Sequence, residues 1–411
     1  MKTRILIFIT AFAAILFSAA PISAQQKEVY FMQGNHVIFS SLISDIDSII
    51  FYNPFPTLLN PSITMREDGF TREGNYSALS GAVTTLCGRT GTTGFQAGNF
   101  GTATFNTPKH LACDADGNIF LTHEGGSLVA LIDLKTQTVR RLCDLGNVPN
   151  AQCVDATGKI ILVPSNGTAD GYWKLDPSNG WSGGTMRNFQ HPTSAEIAAG
   201  VKDFTVMAYK HSFALCTLDN KLYMRGNQDG AVIRFDPVTG KGEWALNDTG
   251  QELWLVRNPD PGPGKPLNVD SYLVFDPKQP HILYAALAGR HCIAYLNIKT
   301  GDTGIFAGSD GNGGWQDGAL TAARFRNPRQ MAVDNEGNLI IAEGGNNCIR
   351  KINLTSKTVS TIAGSPLLAA GYKDGPTNIA LFNSPWGVCV AKDGAIYVAD
   401  RENKCIRKIW P

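Results

Sequence analysis

The sequence predicts an all-β fold built from a repeated unit of four short strands. The clearest copy occupies residues 322–364, where four segments rich in β-forming residues alternate with polar turns. The first turn, residues 334–337, has the composition of a tight hairpin, and the second is rich in glycine and asparagine, which tolerate positive φ. Short turns of this kind join antiparallel strands into a meander. The predicted strands are residues 330–333, 338–342, 348–352 and 358–363.

The same pattern recurs at both ends of the chain. Residues 380–409 repeat it, with Phe382 in place of Phe325 and Pro385 in place of Pro328, and a third copy begins at Ala103. A period of roughly 40 to 60 residues with four strands per unit is typical of small sheets arranged radially.

Six such units can be counted, and the last one lacks its fourth strand. A segment that matches the missing strand, residues 82–88, precedes the first unit. The sequence therefore predicts a six-bladed β-propeller in which this N-terminal strand completes the last blade and closes the ring. Closure removes an exposed sheet edge, which would otherwise favour aggregation. The units are residues 105–145, 151–189, 204–246, 272–308, 322–364 and 380–409.

The repeat resembles the NHL repeat, which builds six-bladed propellers. The resemblance rests on the patterns Ala-x-Phe-x-x-Pro, Asp-x-x-Gly-Asn and Asn-x-x-Ile-Arg-Lys-Ile. Residues 323–364 and 380–409 match almost throughout, and the copy at Ala103 matches in its first half. The resemblance spans residues 81–411. It implies a fold, an NHL propeller of the exported kind found in Bacteroidetes, and leaves the function open.

The residues ahead of the ring divide into two predicted parts. Lys2 and Arg4 precede an apolar run and a small-residue site at Ala24, which is the pattern of a signal peptide, residues 1–24, cut after Ala24. The alternative is an N-terminal membrane anchor, for which the run is short. Residues 25–80 predict a small β module and connector, with hairpin strands at 29–32 and 37–39, a further strand at 45–51 and the connector at 53–75. This module resembles short N-terminal modules on exported Bacteroidetes proteins.

These features predict an exported protein, periplasmic, secreted or on the cell surface, with no integral membrane segment in the mature chain. The 36 basic and 35 acidic residues nearly balance, which gives no reason to expect a nucleic-acid partner. The nine cysteines are an odd number, and Cys292, Cys348 and Cys405 recur in one register before an isoleucine. Recurrence in one register predicts buried thiols.

The candidate ligand-binding residues lie where the innermost strands begin and in loops of the same face. Long interblade loops at 89–106, 309–327 and 365–383 enter three neighbouring blades, and loops on a rigid scaffold commonly bind ligands. Basic and aromatic side chains around one opening suit an anionic or sugar-like ligand, and the alternative is a solvated rim. The candidates are Lys109, His110, His123, Lys210, His211, Tyr272, Trp315, Arg329 and Trp386.

No cofactor is predicted by a motif, and a divalent cation such as Ca²⁺ is the alternative. Some six-bladed lactonases and related hydrolases hold Ca²⁺ in the channel, where hard cations require oxygen ligands. In NHL repeats, the positions of Glu343 and Asp400 usually carry an acidic residue that ties its own loop, which favours a structural role for both. The histidines, His291 included, show no spacing typical of Zn²⁺. The metal candidates are Glu124, Asn150, Glu343 and Asp400.

The leading interpretation is an exported binding module for a carbohydrate ligand or a protein partner. The alternative is a metal-dependent lyase or hydrolase, lactonase-like, that acts at the channel mouth. A third interpretation is a docking protein of an envelope complex. The fold does not choose among them, because propellers host binding and catalysis alike. The sequence leaves the oligomeric state and any catalytic activity unassigned.

Overall fold

A computed structural model describes four strands near the N-terminus and most of the chain from Gly81 onward. The chain divides into two compact units, which are residues 1–80 and residues 81–411. The described residues are 4–9, 13–15, 28–33, 36–42, 81–124, 127–144, 151–159, 161–164, 171–181, 185–201, 212–225, 230–256, 271–364 and 369–410.

The first unit contains a four-stranded sheet in the order β2-β1-β3-β4. Its strands are β1 (Arg4–Ile9), β2 (Ala13–Ile15), β3 (Glu28–Gln33) and β4 (His36–Leu42). The predicted hairpin is present as the antiparallel pair β3 and β4. β1 and β2 lie within the predicted signal peptide, which stays a prediction. The strand predicted at 45–51 and the connector at 53–75 lie outside the described residues.

The second unit is nearly all β-structure. Its one described α-helix is α1 (Ser194–Ala198), and short 3-10 turns occur at Pro177–Asn179 and Ala288–Arg290. No helix among the described residues is long and apolar enough to cross a membrane. The strands in chain order are β5 (Ala82–Gly88), β6 (Gly98–Asn99), β7 (Pro108–Cys113), β8 (Ile119–His123), β9 (Leu128–Asp133), β10 (Thr138–Asp144), β11 (Cys153–Val154), β12 (Ile161–Pro164), β13 (Gly171–Leu175), β14 (Thr185–Asn188), β15 (Ala214–Leu215), β16 (Leu222–Arg225), β17 (Val232–Phe235), β18 (Gly242–Trp244), β19 (Ser271–Phe275), β20 (Ile282–Leu287), β21 (Cys292–Asn297), β22 (Thr303–Gly308), β23 (Gly318–Ala319), β24 (Pro328–Val333), β25 (Leu339–Glu343), β26 (Cys348–Asn353), β27 (Thr358–Ala363), β28 (Gly375–Pro376), β29 (Pro385–Val390), β30 (Ile396–Asp400) and β31 (Cys405–Trp410).

These strands form six antiparallel sheets, the blades of a propeller, which confirms the predicted fold. The innermost strands of blades 1 to 6 are β7, β11, β15, β19, β24 and β29, and each contacts the next around the ring. They line an axial cavity of about 440 Å³ to which all six blades contribute side chains. The second strands β8, β25 and β30 are buried at every position, because neighbouring blades cover both of their faces.

The predicted closing strand is also confirmed. β5 pairs with β31 from Gly88 opposite Cys405 to Ala82 opposite Trp410, and so forms the outer strand of blade 6. The sequence did not reveal the short strands β6, β23 and β28, which add a fifth strand to blades 1, 5 and 6. All three lie in the long interblade loops.

The cysteines that recur in one register are buried as predicted. Cys292, Cys348 and Cys405 each begin the third strand of a blade and are fully covered by the neighbouring blades. Burial raises the pKa of all three thiols. These side chains act as small apolar groups in the core.

Candidate functional site

Trp386 begins β29, and basic side chains from three blades surround its indole ring. The Arg329 guanidinium carbon lies 3.7 Å from the ring centre, the Arg401 carbon 4.9 Å and the Lys109 Nζ 5.4 Å. These distances are within the range of cation–π interaction, to which indole contributes more than other aromatic rings. We call these four side chains, together with Tyr272 and His110, which contact the indole edge, the Trp386 cluster.

Two buried side chains fix the polar edge of the indole. Trp386 Nε1 donates to the Tyr272 hydroxyl at 3.0 Å and to His110 Nε2 at 3.2 Å. His110 Nδ1 lies 3.2 Å from the Thr122 hydroxyl. Because the indole can only donate, Nε2 must accept, so the neutral imidazole carries its proton on Nδ1. Tyr272 comes from blade 4 and His110 from blade 1, so the cluster draws on blades 1, 4, 5 and 6.

Glu124 supplies a negative charge beside the cluster. Its carboxylate lies 3.1 Å from Arg401 Nη2 and 3.6 Å from Lys109 Nζ, and Arg401 also pairs with Glu402. Glu124 therefore holds two basic side chains in place, and its role as a metal ligand stays a prediction.

The structure brings together five of the nine predicted ligand-binding residues. Lys109, His110, Tyr272, Arg329 and Trp386 belong to the Trp386 cluster, whereas Lys210 and His211 lie outside the described residues. Their predicted ligand contacts stay predictions.

Trp315 lies elsewhere in blade 5. Its Nε1 donates to the Thr361 hydroxyl at 2.9 Å, on the outer strand β27, three strands away from the innermost strand β24. The sequence predicts that the long loop at 309–327, which carries Trp315, lies on the ligand-binding face. The hydrogen bond to Thr361 holds Trp315 beside the outer strand of its blade, and its predicted ligand contact stays a prediction.

His123 ties a loop to blade 1. Its Nε2 accepts from the backbone N–H groups of Asn106 and Thr107 at 2.8 and 3.0 Å. Burial lowers the pKa of His123 to about 4, so the imidazole is neutral at pH 7. A neutral ring suits this acceptor role. His123 ends β8 and occupies the position that an acidic residue takes in blades 5 and 6.

In blade 5 that acidic residue is Glu343, which is fully buried. Its carboxylate lies 2.7 Å from Arg350 Nη1 and accepts from the backbone N–H of Arg326 at 2.5 Å. The second amino group of Arg350 donates to Asp317 at 2.6 Å. One buried guanidinium thus connects two loops of the blade, the structural role that the sequence analysis favoured for Glu343.

Blade 6 repeats this arrangement with Asp400 and Arg407. Asp400 lies 2.8 Å from Arg407 Nη1 and accepts from the backbone N–H of Asn383 at 2.8 Å. Two carboxylates, Asp400 and Asp374, share the one guanidinium, and burial raises the pKa of Asp400 to about 6.

This raised pKa predicts how stability varies with pH. Because the folded state holds the Asp400 proton more tightly, this contribution to stability is complete below about pH 4 and is lost as pH rises through about 6. The Asp400→Asn variant lacks the titration. The unfolding free energy of the wild type minus that of the variant should therefore fall by about 2 to 3 kcal/mol between pH 4 and pH 7. Urea unfolding of both proteins across this range measures it, and parallel profiles would contradict it.

The described residues contain no group of three His, Cys, Asp or Glu side chains placed to hold a metal ion. The carboxylates of Glu343 and Asp400 accept hydrogen bonds from arginines and backbone N–H groups. Asn150 lies outside the described residues. The divalent cation stays a prediction, which metal analysis of the purified protein tests.

Comparison with known proteins identifies the repeat in blade 6. The family model of the NHL repeat matches residues 382–409, which span strands β29 to β31. The matched part of blade 6 is an NHL repeat. A stretch of 331 residues is 25% identical to Protein SUPPRESSOR OF QUENCHING 1, chloroplastic, of Arabidopsis thaliana, and covers 78% of this chain. It spans only 26% of the length of that protein.

Two solved structures from Bacteroides thetaiotaomicron have similar folds. One is a structural genomics protein of unknown function, with a TM-score of 0.66, 21% identity, and coverage of 80% of this chain and 75% of that chain. The other is an auxiliary nutrient binding protein, with a TM-score of 0.64, 20% identity and the same coverage of both chains, 80% and 75%. At this identity the likeness shows the propeller fold.

Sequence reasoning missed Arg401 as a member of the cluster. It lies in the loop after β30, where residue spacing does not fix the direction of a side chain. A signal was available, because this loop faces the start of the innermost strands. The contacts of Arg401 with Trp386 and Glu124 can be seen only in the structure, which shows the path of this loop.

Proposed function

We propose that this chain is an exported binding protein that takes a carboxylate-bearing sugar at the Trp386 cluster. The observation that carries the proposal is the convergence of Lys109, Arg329 and Arg401 on one indole ring. The signal-peptide pattern of residues 1–24 supports export. The similar fold of an auxiliary nutrient binding protein supports a role in ligand binding.

The chemistry of the cluster fits such a ligand in two respects. A guanidinium presents a planar fork of N–H donors that matches a carboxylate, and the resulting charge-assisted hydrogen bonds are among the stronger ones. An indole offers an amphipathic surface, whose apolar body suits the C–H groups of a sugar ring. An acidic sugar carries both features, whereas a neutral sugar lacks the first.

The cluster is also pre-organised. Tyr272 and His110 are almost fully buried, at 2% and 0% exposure, and they hold the indole edge through hydrogen bonds. Side chains that are ordered before binding lose less conformational entropy when a ligand arrives. A fixed indole and its stacked guanidinium therefore make a defined surface at the end of the axial cavity where the innermost strands begin.

The test is calorimetric titration of the purified chain with galacturonate oligosaccharides and with the matching neutral galactose oligosaccharides. We expect the acidic series to bind, with an affinity that falls as salt is added. Arg329→Gln should weaken binding about 10- to 100-fold, the effect of losing one hydrogen bond to a charged group. Arg326→Gln is the matched control, because this exposed arginine lies three residues before Arg329, in the loop that precedes β24, and outside the cluster.

Two outcomes would overturn the proposal. Equal binding of the acidic and neutral oligosaccharides would show that the cations do not select the ligand. An unchanged affinity in Arg329→Gln would place the site elsewhere on the protein. Intrinsic fluorescence gives a second measurement. Ligand addition should change the fluorescence of Trp315→Phe more than that of Trp386→Phe, since of these two tryptophans only Trp386 should report the ligand.

A further inference from the structure

Cys113 and Cys389 meet between the first and last blades. Cys113 ends β7 and Cys389 lies in β29, and their Sγ atoms are 2.6 Å apart. A disulfide has an S–S length of about 2.05 Å. Bond formation therefore needs the two sulfur atoms to approach by only about half an ångström. The two sulfur atoms therefore already face each other.

The position of this pair matters for the ring. The two cysteines are 276 residues apart, on innermost strands that belong to different sheets. The hydrogen bonds of β5 close the outer part of blade 6, whereas these thiols face each other at the inner wall. A bond between them would close the ring a second time, covalently, by joining blade 1 to blade 6.

The thiols can also be reached. Both residues line the axial cavity, in which a small reagent can approach Cys113. Cys113 is half-buried, whereas Cys389 is only 5% exposed and packs in the core beside Tyr397. Burial raises the pKa of the Cys389 thiol. Cys113 is therefore the thiol that an incoming disulfide meets first.

We propose that Cys113 and Cys389 form a disulfide that links blade 1 to blade 6, by exchange with a small-molecule or protein disulfide. The Cys113 thiolate attacks one sulfur of the oxidant, forms a mixed disulfide and releases the first thiol. Cys389 then attacks the Cys113 sulfur and releases the second thiol. Two protons and two electrons pass from the cysteine pair to the oxidant, which leaves as two thiols. An oxidising compartment favours the product.

The first experiment counts thiols in the full chain. The reduced chain has nine cysteines, so oxidation of the native protein with glutathione disulfide should leave seven thiols, nine minus the bonded pair, for alkylation after denaturation. Peptide mapping without reductant should find the Cys113 and Cys389 peptides joined. Nine thiols after oxidation, or a different joined pair, would overturn the proposal.

Residues at equivalent positions of other blades supply the control substitutions. The residue equivalent to Cys113 is Val333 in blade 5 and Val390 in blade 6, and the equivalent of Cys389 is Ala332 in blade 5. Cys113→Val and Cys389→Ala therefore place residues that the fold already accepts. In each variant oxidation should leave all eight cysteines free. Cys153→Ala, which removes another cavity-lining cysteine, should still lose two thiols on oxidation.

Thermal unfolding gives an independent measurement. A bond that closes so long a loop restricts the unfolded chain, and we expect the wild-type Tm to rise by about 5 °C on oxidation. The Tm of Cys113→Val should be the same with and without oxidant. If either variant fails to fold, the thiol count and the peptide map of the wild type still decide.

Discussion

Deletion of residues 83–87 is expected to destabilise the whole propeller, with a Tm at least about 10 °C below that of the wild type. The deletion removes most of β5 and leaves the edge of β31 unpaired. It also removes the side chains of Val83 and Cys87, which are 0% and 1% exposed. Their burial and the lost strand pairing together contribute more than about 5 kcal/mol. Differential scanning calorimetry measures the change.

Point substitutions in the same strand serve as controls. Val83→Asp places a charge in the core between blades 5 and 6 and should mimic the deletion. Thr84→Ala, at the adjacent half-buried position opposite Lys408, should change Tm little. An unchanged Tm in the deletion variant would show that β5 does not close the ring.

The second large effect is expected for Arg407→Ala. The buried guanidinium binds Asp400 at 2.8 Å, Asp374 at 2.6 Å and the carbonyls of Leu381 and Lys373 at 2.9 and 2.8 Å. Its removal leaves the Asp400 carboxylate buried without its cation, which costs about 3 to 5 kcal/mol. Urea unfolding should show this loss as a lower midpoint.

A double variant separates the buried charge from the lost packing. Leu287 and Ala294 of blade 4 occupy the strand positions of Asp400 and Arg407, so blade 4 shows an apolar solution of the same site. We expect Asp400→Leu/Arg407→Ala to be more stable than Arg407→Ala alone, because no unpaired charge remains. A double variant that is less stable than the single one would contradict this account.

The effects of the β5 deletion and of Arg407→Ala on the unfolding free energy should not add. Asp374, which Arg407 holds, also accepts from the backbone N–H of Thr85 at 2.9 Å and from its hydroxyl at 3.0 Å. Arg407 therefore stabilises the closing strand as well as its own blade. Residues that share a network show coupled rather than additive changes in unfolding free energy.

The repeated blades made much of this structure predictable. Strand positions follow from local residue patterns, so the bounds of the predicted strands 330–333 and 348–352 lie within two residues of those of β24 and β26. Comparison of one repeat with the next also identifies β5. The last repeat lacks its fourth strand, and a segment that matches this strand precedes the first repeat. The same register placed Lys109, Arg329 and Trp386 at the starts of innermost strands.

The sequence alone thus determined the number of blades, the closing strand and five members of the Trp386 cluster. The tertiary structure decided which side chains meet: Arg401 on Trp386, Trp315 on Thr361 and Cys113 against Cys389. The physical reason is that hydrophobic period and turn composition are local and repeat along the chain. Contacts between blades depend instead on loop paths and on the offset between strands that are not paired, and neither leaves a pattern in the sequence.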